Sequence, residues 1–164
     1  MKDIRFEILE PKHAQEVMAI FNHYINHSFS AYPDHPLPEV FFGRFLEMTK
    51  GYPAYAVVVE DQVAGFCFLR PYNPFPTFAH TAEITYFIKP GYTGRGIGKQ
   101  ALSRLESDGR NMGITILLAS ISSENTESIE FHKRSGFVEC GRFSGVGKKF
   151  GTFFDVVWMQ KKLV

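Results

Sequence analysis

The sequence predicts one mixed α/β domain, and three observations carry that reading. Runs of alternating or continuous apolar residues recur along the chain and are interrupted by segments with helical spacing, in the order β-α-α-β-β-β-α-β-α-β-β. A glycine-rich turn joins one strand to one helix near the middle. The 164 residues are 45% hydrophobic and 21% charged, the balance of a chain that buries a single core without a staple.

Each element has its own signature. In residues 3–9, Ile4, Phe6 and Ile8 alternate with Arg5 and Glu7, as in a half-buried strand. Pro11 stands where a helix can open, and Ala14, Val17, Met18, Phe21, Tyr24 and Ile25 follow at helical spacing. A turn-rich stretch from Ser28 to Pro38 leads to a second helix over about 38–50, with Val40, Phe41, Phe45 and Leu46 apolar. Residues 54–60 and 63–70 read as a hairpin around Asp61-Gln62. Pro71, Pro74 and Pro76 mark a loop, and 81–88 is the next strand. After the glycine turn come a helix at 97–110 and a strand at 114–121, apolar enough to suggest burial on both faces. A helix at 125–135 and strands at 137–143 and 152–160 complete the chain, a central antiparallel meander beside a βαβα unit.

Composition narrows the function. A net charge of +1 gives no field to recruit nucleic acid or an anionic membrane. No apolar run approaches the ~20 residues of a membrane span, and Met1–Leu9 lacks the apolar stretch of a signal peptide. Cys67 and Cys140 lie in strand-like runs and read as reduced core residues of a cytoplasmic protein. His13, His23, His27, His35 and His80 show no His-Glu-x-x-His spacing, so no metal is expected.

The most informative segment is Pro90-Gly91-Tyr92-Thr93-Gly94-Arg95-Gly96-Ile97-Gly98-Lys99. Glycines let backbone approach a ligand, and the free N–H groups of a helix start attract phosphate. Arg95 and Lys99 add charge. The segment is neither a P-loop nor a dinucleotide fingerprint, because both spacings fail. A tight turn holding no ligand is the alternative.

Gly94-Arg95-Gly96-Ile97-Gly98 resembles the acetyl-CoA pyrophosphate loop of the GNAT N-acetyltransferases, with Thr93 where that loop usually carries Gln or Arg. Asn125-Thr126-Glu127-Ser128 and His132-Lys133-Arg134-Ser135-Gly136-Phe137 resemble the second cofactor segment of the same superfamily. Phe21-Asn22-His23-Tyr24-Ile25, Lys149-Phe150-Gly151 and Asp155 are similar to the phosphinothricin acetyltransferase-like branch. The resemblance implies a GNAT fold, a mostly antiparallel mixed sheet of about seven strands with four helices over 1–164. It also implies acetyl-CoA as cosubstrate, a small-molecule amine as acceptor and a homodimer.

The resemblance distributes roles. Glu83, a carboxylate within the apolar strand 81–88, matches the branch's general base; a solvated outward glutamate is the alternative. His132, where many relatives carry Tyr, would assist the departing thiolate, or be a surface residue. Thr93 to Lys99 would take the pyrophosphate, the backbone of Tyr86, Phe87 and Ile88 the pantetheine, and Asn125, Ser128 and Arg134 further parts of the cofactor. Tyr32, Arg70, Tyr72, Phe75 and Phe78 would face the acceptor. Relatives acting on amino-acid-like substrates carry arginines where this chain has Asn73 and Phe75, which counts against acidic acceptors such as phosphinothricin. Protein N-terminal or lysine acetylation, and a non-catalytic acyl-CoA sensor, are the competing functions.

Overall fold

The computed structural model describes residues 3–163; Met1, Lys2 and Val164, which the sequence reading assigns to the same domain, lie outside the described residues. Seven strands, β1 (Ile4–Ile8), β2 (Ala54–Val59), β3 (Gln62–Pro71), β4 (Thr81–Ile88), β5 (Ile116–Ser122), β6 (Val138–Lys149) and β7 (Thr152–Lys162), form one sheet. Four helices, α1 (Ala14–His27), α2 (Phe42–Met48), α3 (Ile97–Asn111) and α4 (Thr126–Arg134), cover it. The strand order is β1-β2-β3-β4-β5-β7-β6, and every pairing is antiparallel except β4 with β5. This is the predicted architecture.

Two cores flank the sheet. On one face α1 and α2 bring Val17, Met18, Phe21, Ile25, Phe42 and Phe45 onto Phe66 and Phe68 of β3. On the other, Ile97, Ala101, Leu102 and Leu105 of α3 pack on Cys67, Leu69, Leu117, Val157 and Met159, with Ile129 and Phe131 of α4 at the margin. β3 is therefore buried on both faces, and a bulge opposite Val57/Val58 sets the phase of its alternation. Burying a ring such as Phe66 or Phe68 contributes roughly 1.5–3 kcal/mol.

Several boundaries differ from the sequence reading, each for a physical reason. The β2–β3 turn is Glu60-Asp61, both at positive φ (50° and 62°), which closes a two-residue hairpin one position early. The second helix begins as a 3-10 turn, Glu39–Phe41. Pro11 likewise sits in a 3-10 turn rather than in α1. β6 runs on to Lys149, because bulges carry it past the Ser144–Gly147 stretch that reads as a break. β5 is not covered on both faces: Leu117, Ala119 and Ile121 are buried, but Ser120 is exposed and Leu118 half-buried. Cys140 is exposed rather than in the core, since β6 is an edge strand open on nearly its whole length; Cys67 is fully buried.

Candidate active site

β4 and β5 pair as parallel neighbours only at Thr81↔Ile116, Ala82↔Leu117 and Glu83↔Leu118. Beyond Glu83 the two strands separate, and the gap opens a cleft of about 1280 Å³ lined from both faces of the sheet. That exceeds the roughly 300–1,000 Å³ of an ordinary small-ligand pocket and leaves room for a long cosubstrate and an acceptor together. On its β5 side, the backbone of Ile84–Ile88 lacks a pairing strand and is available to a ligand running along it. The Ile88 carbonyl is an exception, since it accepts the Tyr24 hydroxyl.

The glycine turn closes one end. Gly94 (φ 73°) and Gly96 (φ 79°) occupy the left-handed region, and nothing stands within 4 Å of where their Cβ atoms would be. Gly96 caps α3 without a side-chain hydrogen bond, and the first turn of α3 carries no acidic residue. The leading N–H groups of α3 thus have no intrahelical acceptor and no competing carboxylate, as an anion site at a helix start requires. Thr93, Gly94, Gly96, Ile97, Gly98 and Lys99 line the cleft. Arg95 does not; its guanidinium lies over the Tyr92 ring, 5.2 Å from the centroid.

Strand alternation divides the chemistry. Glu83 shares the α1–α2 face with Phe87, while Tyr86 turns to the α3–α4 face. Arg70, the register partner of Glu83 on β3, puts Nη2 2.6 Å from Glu83 Oε2. Arg70 Nε is buried without a hydrogen-bond partner. Tyr32 and Ser120 share a hydrogen bond at 3.0 Å across the mouth of this half. Its inner walls are Phe21, Phe41, Phe45, Met48 and Phe68. Burial pushes the Tyr32 phenol pKa up; its bond to Ser120 opposes the rise, and the charge of Glu83 adds to it.

On the opposite face, His132 is 3% exposed. Its Nδ1 lies 2.6 Å from the Ser128 carbonyl, which can only accept, so the ring proton sits there. Nε2 then accepts the Tyr86 hydroxyl at 2.5 Å. Burial lowers the His132 pKa, with the Ser128 carbonyl opposing, and raises that of Tyr86. The pair is therefore neutral. Asn125 caps α4: its Oδ1 accepts the Ser128 N–H at 3.2 Å, while Nδ2 donates to Ser30 Oγ at 3.1 Å.

Of the predicted residues, the cleft lining brings together Glu83, His132, Tyr86, Phe87, Ile88, Asn125, Ser128, Arg134, Tyr32 and Arg70 with the glycine turn. Tyr72, Phe75 and Phe78 stand outside it. Tyr72 packs edge-on against Phe78, and Phe75 is 67% exposed. Sequence reasoning missed Tyr24, Ser30, Ser120 and the apolar wall of α1, α2 and β3. The helical period marked Phe21, Phe41 and Phe45 as apolar, but not which of them face a cavity.

A parallel strand pair that parts over a helix start with free amides defines a class of α/β proteins that take a phosphate-bearing ligand in the split. Residues 17–137 match the acetyltransferase (GNAT) family, and the chain belongs to it. It is 34% identical over 113 residues to the L-amino acid N-acyltransferase MnaT of Escherichia coli, covering 69% of this chain and 66% of that protein. It is 29% identical over 149 residues to a phosphinothricin N-acetyltransferase of Streptomyces coelicolor, covering 88% and 87%. An acetyltransferase of Salmonella typhimurium, solved with its cofactor acetyl-CoA, superposes with a TM-score of 0.89 at 26% identity over 98% of this chain and 94% of that one.

Proposed function

We propose that the protein transfers the acetyl group of acetyl-CoA to the primary amine of a small molecule, with Glu83 as general base. One observation carries the reading: Glu83 is the last residue of β4 paired with β5 before the strands part, so it stands where the two halves of the cleft meet. Acetyl-CoA supplies an activated thioester. The α3 N-terminus, with Thr93–Gly94, Gly96–Lys99, would hold its pyrophosphate, and the free backbone of β4 its pantetheine arm.

The acceptor enters from the α1–α2 side. Its amine gives a proton to Glu83, directly or through one water, and the freed nitrogen attacks the acetyl carbonyl; the C–N bond forms as the C–S bond breaks. As the amide forms the nitrogen sheds its second proton, and the leaving thiolate takes it, so that CoA departs as the free thiol past the neutral Tyr86–His132 pair. Because His132 Nε2 accepts in this arrangement, the Tyr86 hydroxyl hydrogen is held toward the ring. His132 thus acts by orienting Tyr86 rather than as a resting acid. An acceptor carrying a hydrogen-bond acceptor close to its amine would meet the partly exposed Arg70 guanidinium beside Glu83, and its remainder fits the phenylalanine wall. Small amino-acid-like amines meet both conditions, in keeping with the names of the relatives.

Cytoplasmic location and a homodimer belong to the same reading. Among the described residues, no helix is long and apolar enough to cross a membrane. The edge strand β6 leaves Val138, Phe143 and Val146 exposed, with Phe153 of β7 beside them, and a second copy would cover such an edge. Light scattering on the purified protein tests that part, a monomeric mass refuting it. The function is tested by an acetyl-CoA turnover screen over amino acids, polyamines and aromatic amines, reading free thiol. Turnover with small amines is expected. Acetyl-CoA binding without turnover on any amine would establish an acyl-CoA sensor instead, and turnover on peptides alone a protein acetyltransferase.

A further inference from the structure

Lys149, at the end of β6, has no part in the chemistry above, yet it is 3% exposed. A buried ammonium persists only where acceptors replace its water. Nζ donates to the Ser28 carbonyl at 2.7 Å and to the Ala31 carbonyl at 2.6 Å, 121 and 118 positions earlier in the chain. Two carbonyls three residues apart therefore converge on one charge, and the segment between α1 and α2 is wrapped around it.

The rest of the β6–β7 hairpin is built to receive that segment. Phe150 (φ 52°) and Gly151 (φ 74°) form the two-residue turn closing Lys149↔Thr152. Phe150 and Phe154 hold the Phe29 ring edge-on at 5.4 and 5.8 Å. Phe154 also stacks on Tyr32, centroids 5.9 Å apart and planes 10° from parallel. The ring of Phe154 fits because residue 147 is glycine: a Cβ there would lie 2.2 Å from it. Tyr32 then reaches Ser120 of β5, and Ser30 reaches Asn125 at the start of α4. The clasped segment thus touches both halves of the cleft, through Tyr32 on the Glu83 side and Ser30 on the α4 side.

We infer that Lys149 is a positioning residue for acceptor recognition, holding residues 28–32 as a fixed wall so that Tyr32 bounds the acceptor. The inference rests on the reading of Tyr32, Arg70 and Glu83 as the acceptor end. Its test is steady-state kinetics with one good amine, together with calorimetry of acetyl-CoA binding, on three variants. Lys149→Met keeps the apolar stem and removes the donors. It should raise KM for the amine about tenfold and leave kcat within about twofold. Acetyl-CoA affinity should stay within about twofold, because Asn125 keeps its α4 cap through the Ser128 N–H when Ser30 is released and the α3 amides are untouched. Lys149→Arg, which can still donate, should recover part of the loss. Unchanged amine KM in Lys149→Met overturns the inference, as does a parallel fall in acetyl-CoA affinity, which would mark general loosening. Arg70→Gln separates the two readings: if it raises amine KM and Lys149→Met does not, only the clasp fails, and if neither does, the acceptor end is misplaced. Should Lys149→Met not fold, Gly147→Ala displaces the Phe154 platform with Lys149 intact. It should show the same rise in amine KM, and an unchanged value overturns the inference.

Discussion

Arg70 and Glu83 stand opposite one another on β3 and β4, with Nη2 and Oε2 2.6 Å apart. The pairing changes what each residue can do. An acceptor that brings a carboxylate near the base also meets a guanidinium there, so the proton acceptor and the nearest cation for an anionic group are one unit. Nη2 is the part of that guanidinium spent on Glu83; Nη1 lies 3.9 Å from Met48 Sδ, and Nε is buried with no partner. The inner wall of this half of the cleft is aromatic or thioether surface.

Acceptor choice follows. Phosphinothricin carries a second anion, on its side chain, and the wall of Phe21, Phe41, Phe45, Met48 and Phe68 offers that group no cation. Lys149 is not free to serve, because its ammonium is held by Ser28 and Ala31. Burying an unpaired charge is costly. We expect kcat/KM for phosphinothricin to lie well below that for an amino acid or amine with an uncharged apolar side chain. Measuring both with the same enzyme decides the matter, and a preference for phosphinothricin would require a cation elsewhere in the cleft.

The cofactor turn yields a second expectation. Gly96 has φ 79° at the N-terminus of α3, and the space around it is open. Gly96→Val places a β-branched side chain in a backbone conformation it resists and in space that a phosphate would occupy. Acetyl-CoA affinity should fall at least tenfold, about 1.4 kcal/mol. Calorimetric titration, with circular dichroism to confirm the fold, reads this directly. Equal affinity in a folded variant would remove the phosphate site from this turn.

His132 gives stability a pH dependence. Its pKa in the folded protein is lowered by burial, so between that value and the ordinary histidine value the unfolded chain binds the proton more readily. Stability then rises with pH across that window; it is complete above the ordinary value of about 6.5 and declines as pH falls toward the folded one. His132→Gln, which does not titrate, should be less stable at pH 8 but show a shallower loss of Tm between pH 7 and 5. Thermal melts of both proteins over that range give the comparison. Parallel slopes would mean that the ring is solvated enough to protonate in place.

How much of this was legible beforehand depends on how local each feature is. The alternation of Ile4, Phe6 and Ile8, the period of α1 and the Gly94–Gly98 turn are written in a few consecutive residues, and they place the elements and the cofactor end. The Arg70–Glu83 pair depends on the β3–β4 register, and the Lys149 clasp on contacts over a hundred residues apart, so no local pattern announces them. Cys140 shows the opposite error. Its neighbours read as a strand, correctly, but only the strand order makes β6 an edge and leaves the thiol exposed. Tyr72, Phe75 and Phe78 lie in a loop that has no period, so nothing in their spacing says which way they face.

Glu83 provides the last expectation. Glu83→Gln keeps the shape of the side chain and still offers Arg70 an oxygen, so the β3–β4 contact and the strand split should survive. An amide cannot take the proton. If Glu83 is the base, kcat falls by about 10²–10⁴ at neutral pH. Acetyl-CoA affinity should stay the same, because Glu83 lies on the face away from the Tyr86–His132 pair and apart from the glycine turn. The deficit should also narrow as pH rises, since the amine then arrives deprotonated and needs no base. The decisive measurement is the pH dependence of kcat/KM for both proteins with one good acceptor. In the parent the acidic limb belongs to the enzyme's base; in the variant it should be replaced by a rise at higher pH that follows the deprotonation of the amine itself. A variant that keeps the full acidic limb and runs near the parent's rate at neutral pH would move the base elsewhere, and would leave Glu83 as the residue that holds Arg70 in place.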